Sequence, residues 1–331
     1  MFFHVCGLLL SMTSAAGMQT NSGFGVPRVA RFYGGALGAV SLQFDDSMIS
    51  QLQNAVPLLN ARNLRATFFI NPARPQHQAH VREWEVDVPN AGHELANHTL
   101  SHNGAKSLEE VEKEIAKCSD VLRRVYGSRP RLMTFGQPGG VPWDFAPADL
   151  RPIFKKQLLV PAVNRTFFDE TKLDPVTLAQ QAIDRRSWVQ IGMHGTGGEW
   201  LSTSVPTLTR LLDFLADRRS TLWTAPTIEV YKYSVERDAA APSLLTNVTF
   251  RGFDVKVDCD TVHVEKFGHP FTQLYDQPLT MEVEVPNTWR RFTVKQAGQT
   301  KDLATVDFGA QHLARFDILP NTGSAHVERA Q

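Results

Sequence analysis

The stretch LGAVSLQFDDSMISQLQNAVPLLNARNLRATFFI, residues 37–70, decides the fold class. It opens on an apolar β-rich run, Leu37 to Phe44, and continues through Ile49, Leu52, Val56 and Leu59 at helical spacing. It then returns to a second run, Arg65 to Ile70, which Asn71-Pro72 ends. Strand, helix and strand in that order make a βα unit, and the same alternation continues downstream. A short strand, His93 to Asn97, leads into a polar loop, after which Ser107 and Glu110 form a capping box. In the helix that follows, Leu108, Val111, Ile115, Cys118, Leu122 and Val125 make one apolar stripe, so Cys118 reads as a core thiol. Arg131 to Phe135, Leu158 to Val163 and Trp188 to Met193 read as further strands, and Val205, Leu208, Leu211, Leu212 and Leu215 mark another helix.

Near Ala239-Ala240-Ala241-Pro242 the helical period gives way to β-rich segments, Val255 to Val264, Leu279 to Val285 and Leu313 to Ile318. We therefore read an α/β domain over residues 27–241 and a smaller β-sandwich-like domain over 242–331. Alternation alone permits either a (β/α) barrel or a doubly wound sheet for the first. Phe2 to Leu10, followed by Ser14, Ala15, Ala16 and Gly17, resembles a secretory leader over residues 1–20, which implies a secreted or periplasmic protein. That run is too short to span a membrane, so the mature chain is expected to carry no integral membrane segment.

The 331 residues include 34 Lys+Arg and 34 Asp+Glu, a formal balance of zero that argues against nucleic acid as a partner. Cys6, Cys118 and Cys259 are too few for a disulfide framework, and no Cys-x-x-Cys pair is present. Gly-x-Ser-x-Gly, Walker and Gly-x-Gly-x-x-Gly patterns are also missing, which disfavours serine hydrolase and nucleotide chemistry.

Three constellations carry chemistry. Asp45 and Asp46 stand just past an apolar strand, where a βα barrel collects its catalytic groups, although an Asp-Asp pair alone also reads as a turn or helix cap. His98 and His102, four residues apart, would share one side of a helical turn and reach a single metal ion. Together with a carboxylate they make the two-histidine, one-carboxylate set of an open metal site. His194 ends the strand Trp188 to Met193 ahead of a glycine-rich loop and suits a general acid, although a lone histidine there also reads as structural.

In this order and spacing the motifs resemble the polysaccharide deacetylases of the NodB-homology type. Gln43-Phe44-Asp45-Asp46-Ser47 looks like that family's Thr-Phe-Asp-Asp-Gly, and His98-Thr99-Leu100-Ser101-His102 matches its His-Ser/Thr-x-x-His. The resemblance implies a distorted (β/α) barrel and hydrolysis of an acetyl group on a carbohydrate, an N-acetylglucosamine polymer or another acetylated glycan. It makes Asp45 the base that deprotonates a metal-bound water, His194 the acid, and Asp46, His98 and His102 the ligands of one divalent ion. Zinc is the first choice, with cobalt or another divalent ion also compatible.

Two departures stand out. The family's Phe-Arg-x-Pro-x-Gly reads Phe135-Gly136-Gln137-Pro138-Gly139-Gly140 here, so Gly136 replaces the arginine that orients the base, while Pro138 and Gly139 on this loop are candidate substrate-binding residues. Arg165, just past the strand Leu158 to Val163, is a candidate surrogate, with a solvated loop arginine as the plain alternative. The Asp-Trp motif is not evident, and Trp200 is the candidate sugar-stacking platform, with packing as its plain alternative. These departures keep two rivals open: a carbohydrate-binding protein that has lost catalysis, and a deacylase of small amides.

Overall fold

A computed structural model describes residues 23–260 and 267–330. The leader reading and Cys6 lie outside the described residues. After β1 (Arg28–Val29) come β2 (Gly38–Asp45), β3 (Thr67–Ile70), β4 (Glu94–Asn97), β5 (Met133–Phe135), β6 (Leu159–Pro161), β7 (Arg165–Phe167), β8 (Trp188–Met193) and β9 (Leu222–Thr224). β2 to β9 form one sheet in the order β6-β5-β4-β3-β2-β8-β7, with β9 also on β2. Its pairings are parallel. β6 and β7 lie on opposite edges, yet only residues 162–164 join them, a reach of roughly 14 Å at full extension. The sheet therefore curls until its edges approach, which makes a distorted (β/α) barrel and not an open doubly wound sheet.

The sequence pattern missed β7, as it missed β9 and the helices Pro147–Gln157, Pro175–Asp184 and Thr227–Ala239. Leu158 to Val163 read as one strand, but pairing stops at Pro161, the chain turns through Asn164 at a left-handed φ of 59°, and Arg165 begins a separate strand on β8. Three residues carry too little periodicity to be read alone.

β2 is buried at every position, as a central parallel strand must be. The helix Leu108–Tyr126 buries Val111, Ile115, Cys118 and Leu122, as the stripe predicts, although Leu108 is exposed. Its capping box is shifted: the Ser107 hydroxyl accepts the Glu110 N–H at 3.2 Å, while the Glu110 carboxylate accepts from Lys106 N at 2.6 Å. Among the described residues no helix is long and apolar enough to cross a membrane.

Downstream lie β10 (Leu245–Thr246), β11 (Gly252–Val255), β12 (Leu279–Glu284), β13 (Arg291–Gln296), β14 (Gln299–Ala304), β15 (Val306–Phe308), β16 (Gln311–Ile318) and β17 (Ala325–Arg329). They form two antiparallel sheets, β1-β12-β16-β15 and β10-β11-β17-β13-β14, whose inner faces share one core. The strand expected over Val255 to Val264 is shorter: β11 ends at Val255, Cys259 makes only an isolated bridge to Ala240, and residues 261–266 lie outside the described residues. Cys118 and Cys259 are both buried and unbridged. Trp289 is 1% exposed and packs edge-on against Phe24 at 5.4 Å, so it fills the sandwich and cannot serve as a sugar platform. Replacing Trp289 by alanine is expected to cost this core about 3–5 kcal/mol, read as a lowered urea midpoint.

Candidate active site

The ladder carries on past the strand ends. Asp46 N donates to Phe69 O (3.1 Å), His98 N to Ile70 O (3.3 Å) and Gly136 N to Asn97 O (2.9 Å). The loops bearing the carboxylates and the histidine motif thus leave neighbouring strands at one level.

Asp46 Oδ1 lies 3.5 Å from His98 Nε2 and 3.4 Å from His102 Nε2. One ligand atom from each of the three residues lies within 4.8 Å of the others. His98 Nδ1 lies 2.8 Å from the Gly136 carbonyl, which accepts its N–H and leaves Nε2 with a free lone pair facing the cluster. Asp46 Oδ1 is buried and has no hydrogen-bond partner among the described residues. An orphaned carboxylate oxygen between two imidazole nitrogens suits a divalent cation, since the donor set is the open-site combination. Burial pushes the Asp46 carboxyl up, but the neighbouring imidazoles of His98, His102 and His194 leave it below its usual value. Burial, then repulsion from His98, lowers His102.

The two histidines do not share a helical turn. Thr99 and His102 adopt left-handed φ values of 71° and 59°, and this irregular loop brings the rings 4.9 Å apart. Asn97 holds its start by accepting the Thr99 N–H at 2.9 Å.

Asp45 is the second carboxylate, with Oδ2 3.7 Å from His98 Nε2. Its Oδ1 accepts from Arg165 Nη2, while Arg165 Nε donates to Gln43 Oε1 at 2.6 Å. The guanidinium lies between the rings of Phe69 and Phe167, at 4.4 and 4.7 Å, so Arg165 is no solvated loop residue. A Cβ on Gly136 would sit 2.7 Å from the Phe69 ring and 3.2 Å from Arg165 Nη1. Glycine at 136 and arginine at 165 therefore depend on each other sterically.

His194 lies between Phe167, stacked at 5.3 Å, and Trp200, edge-on at 4.8 Å. Burial lowers its ring below the ordinary histidine value against the pull of Asp45 and Asp46. Trp200 is 60% exposed, which leaves its indole open to solvent beside this acid candidate. Pro138 is buried and Gly139 exposed, on the loop that begins at Gly136.

Sequence reasoning missed Gln51. Its amide donates to the carbonyls of Asp45 (2.6 Å) and His194 (3.0 Å), tying two strand ends together. A lone glutamine in a helical run has no pattern to reveal it. Gln51→Leu should leave both carbonyls short of a donor and cost about 1–3 kcal/mol of stability by denaturant titration.

The polysaccharide deacetylase family matches residues 36–144. No curated protein matches the chain. Among solved structures, a family 4 carbohydrate esterase from Streptomyces lividans is 23% identical, with 57% of this chain and 92% of that one covered at a TM-score of 0.43. A peptidoglycan deacetylase from Bacillus subtilis is 18% identical, covering 61% and 94% at 0.45. A family 4 pseudoenzyme from Bacillus anthracis is 16% identical, covering 58% and 65% at 0.41. That matched segment, residues 36–144, spans Asp45, Asp46, His98 and His102, the residues of the motifs.

Proposed function

We propose that the protein is a metal-dependent hydrolase that removes acetyl groups from a carbohydrate, an N-acetylglucosamine polymer or another acetylated glycan. The observation that carries this reading is the unpartnered Asp46 Oδ1 between His98 and His102, beside a second carboxylate already engaged by an arginine. Asp46, His98 and His102 would hold the ion, with zinc as first choice. When bound, a divalent ion at this place supplies Lewis-acid polarisation of an acyl carbonyl and a lowered water pKa.

The chain's own groups divide the proton work. Arg165 occupies Asp45 Oδ1, so Oδ2, on the side of His98, is the oxygen free to take a proton from the attacking water. The planar fork of Arg165, bonded to both Gln43 and Asp45, fixes the carboxylate plane. His194 donates a proton to the departing sugar nitrogen or oxygen, and its lowered pKa makes it the stronger donor once charged. Trp200, with the exposed Gly139, supplies the sugar-facing surface, while the buried Pro138 shapes the loop beneath it, and the exposed indole suits stacking on a pyranose face. A glycan polymer as substrate agrees with export, for which the apolar run at Phe2 to Leu10 is the support.

Acetate release from N-acetylglucosamine oligomers and acetylated xylan by the zinc-loaded protein tests the reading, with Asp45→Asn expected to abolish it. Arg165→Ala is expected to lower kcat/KM by roughly 10²-fold, with little recovery in Arg165→Lys, because an ammonium cannot reproduce the fork. No release from a zinc-loaded protein would favour the binding-protein reading. Burial lowers His102, so its ring stays neutral to more acid pH than an ordinary histidine, and zinc affinity should persist below neutral pH before it falls as the ring protonates. Chelator competition across pH reads this directly.

A further inference from the structure

Both turns that carry the proposed metal ligands are held in backbone conformations unfavourable to their residues. Asp46 and Ser47 have φ values of 79° and 50°, and neither is glycine. Such positions cost of order 1–3 kcal/mol each and persist only where the surroundings over-determine them. Residues 71–77 lie between this carboxylate turn and the histidine loop and make contacts to both.

Toward the histidine loop, Asn71 Nδ2 donates to the carbonyls of His98 (2.5 Å) and Thr99 (3.2 Å), and Ala73 N donates to Leu100 O (2.9 Å). Toward the carboxylate turn, Asn71 N donates to Ser47 Oγ (2.9 Å) and Gln76 Nε2 to Asp46 O (3.4 Å), while Arg74 Nη1 lies 3.8 Å from Asp46 Oδ1. His77 Nδ1 lies 3.3 Å from Ser47 Oγ, and its Nε2 lies 3.3 Å from Glu85 Oε1. Burial lowers the His77 pKa against the pull of Glu85, so the neutral ring can donate through Nε2 to Glu85 and accept the Ser47 hydroxyl at Nδ1. The ring also stacks on Trp84 at 6.1 Å and 9°, Trp84 packs edge-on to Phe68, and Phe68 stacks on Phe44. His77 is thus anchored by the core on one side and grips Ser47 on the other.

Ser47, His77 and Glu85 have the composition of a nucleophile, base and acid triad. Ser47 is only 1% exposed, however, and its oxygen already accepts the Asn71 N–H, so it cannot reach a substrate carbonyl. We infer that His77 is a positioning residue: through Ser47 and Asn71 it sets the spacing between the Asp46 turn and the His98–His102 loop, and thereby the affinity of the metal site. This rests on the reading of Asp46, His98 and His102 as ligands, and assigns a role to residues outside that set.

Zinc affinity, measured with the metal alone against a chromophoric chelator, tests it in full-length protein alongside the d–d spectrum of the cobalt-loaded form. His77→Phe keeps the stack on Trp84 but loses both hydrogen bonds, and is expected to weaken zinc binding by roughly ten- to a hundred-fold and to alter the cobalt spectrum. Ser47→Ala should do the same, and the double variant should be no weaker than either single one. Ser47→Gly, which adopts φ of 50° freely, should lose less, and His77→Phe should have little further effect in that background. Wild-type zinc affinity and spectrum in His77→Phe, whatever its apo melting temperature, would overturn the inference, as would fully additive losses. Should His77→Phe fail to fold, the Ser47→Ala and Ser47→Gly pair decides by the same readout. Failure of the wild-type protein to bind zinc would overturn the ligand reading and this one together, whereas zinc binding indifferent to these variants would overturn this one alone.

Discussion

The parallel pairing of β2 with β3 and β8 is the constraint on which the rest of the site depends. Phe44 stands opposite both Phe68 and Met193, and Asp45 stands opposite Phe69. A parallel ladder admits no independent slip of one strand end, because a one-residue shift would turn every buried side chain of β2 to the other face. The register that packs Leu42 and Phe44 into the core therefore also brings Asp45, Asp46 and His194 to one end of the barrel. Gln51 reinforces it by bonding the carbonyls of Asp45 and His194 with one amide.

Strain gathers where that register ends. Asp46, Ser47, Thr99 and His102 all take left-handed φ values, and all lie in the two turns that bear the cluster. Unfavourable backbone at four non-glycine positions around one orphaned carboxylate oxygen marks a place where geometry outweighs local preference. The strap formed by residues 71–77 explains how the strain is held, since it contacts both turns at once.

Asp45 is met by an arginine that comes from a strand two places away in the sheet. Curling the sheet brings β7 across from the end of β5, and Gly136 leaves the room that the Phe69 ring and the guanidinium occupy. Two rings flank the guanidinium, and a carboxylate and an amide accept from it, so its burial is compensated on all sides. A side chain at 136 would meet the Phe69 ring first and crowd the guanidinium behind it.

Sequence alone determined what short-range order and side-chain chemistry can carry. The runs at 37–44 and 65–70 specified βα units, the stripe from Val111 to Leu122 specified its helix, and Asp45, Asp46, His98, His102 and His194 were legible because reactive side chains followed apolar strands. Tertiary structure decided what depends on closure. β7 is too short to show a period, and Arg165 acquires its partner only when β7 pairs on β8 beside β2. The histidines converge through an irregular loop and not through helical spacing, and Gln51, Asn71 and His77 act through contacts with turns distant in the chain. A residue's chemistry is written locally, but its neighbour across a barrel is set by strand order and curvature, which no local pattern encodes.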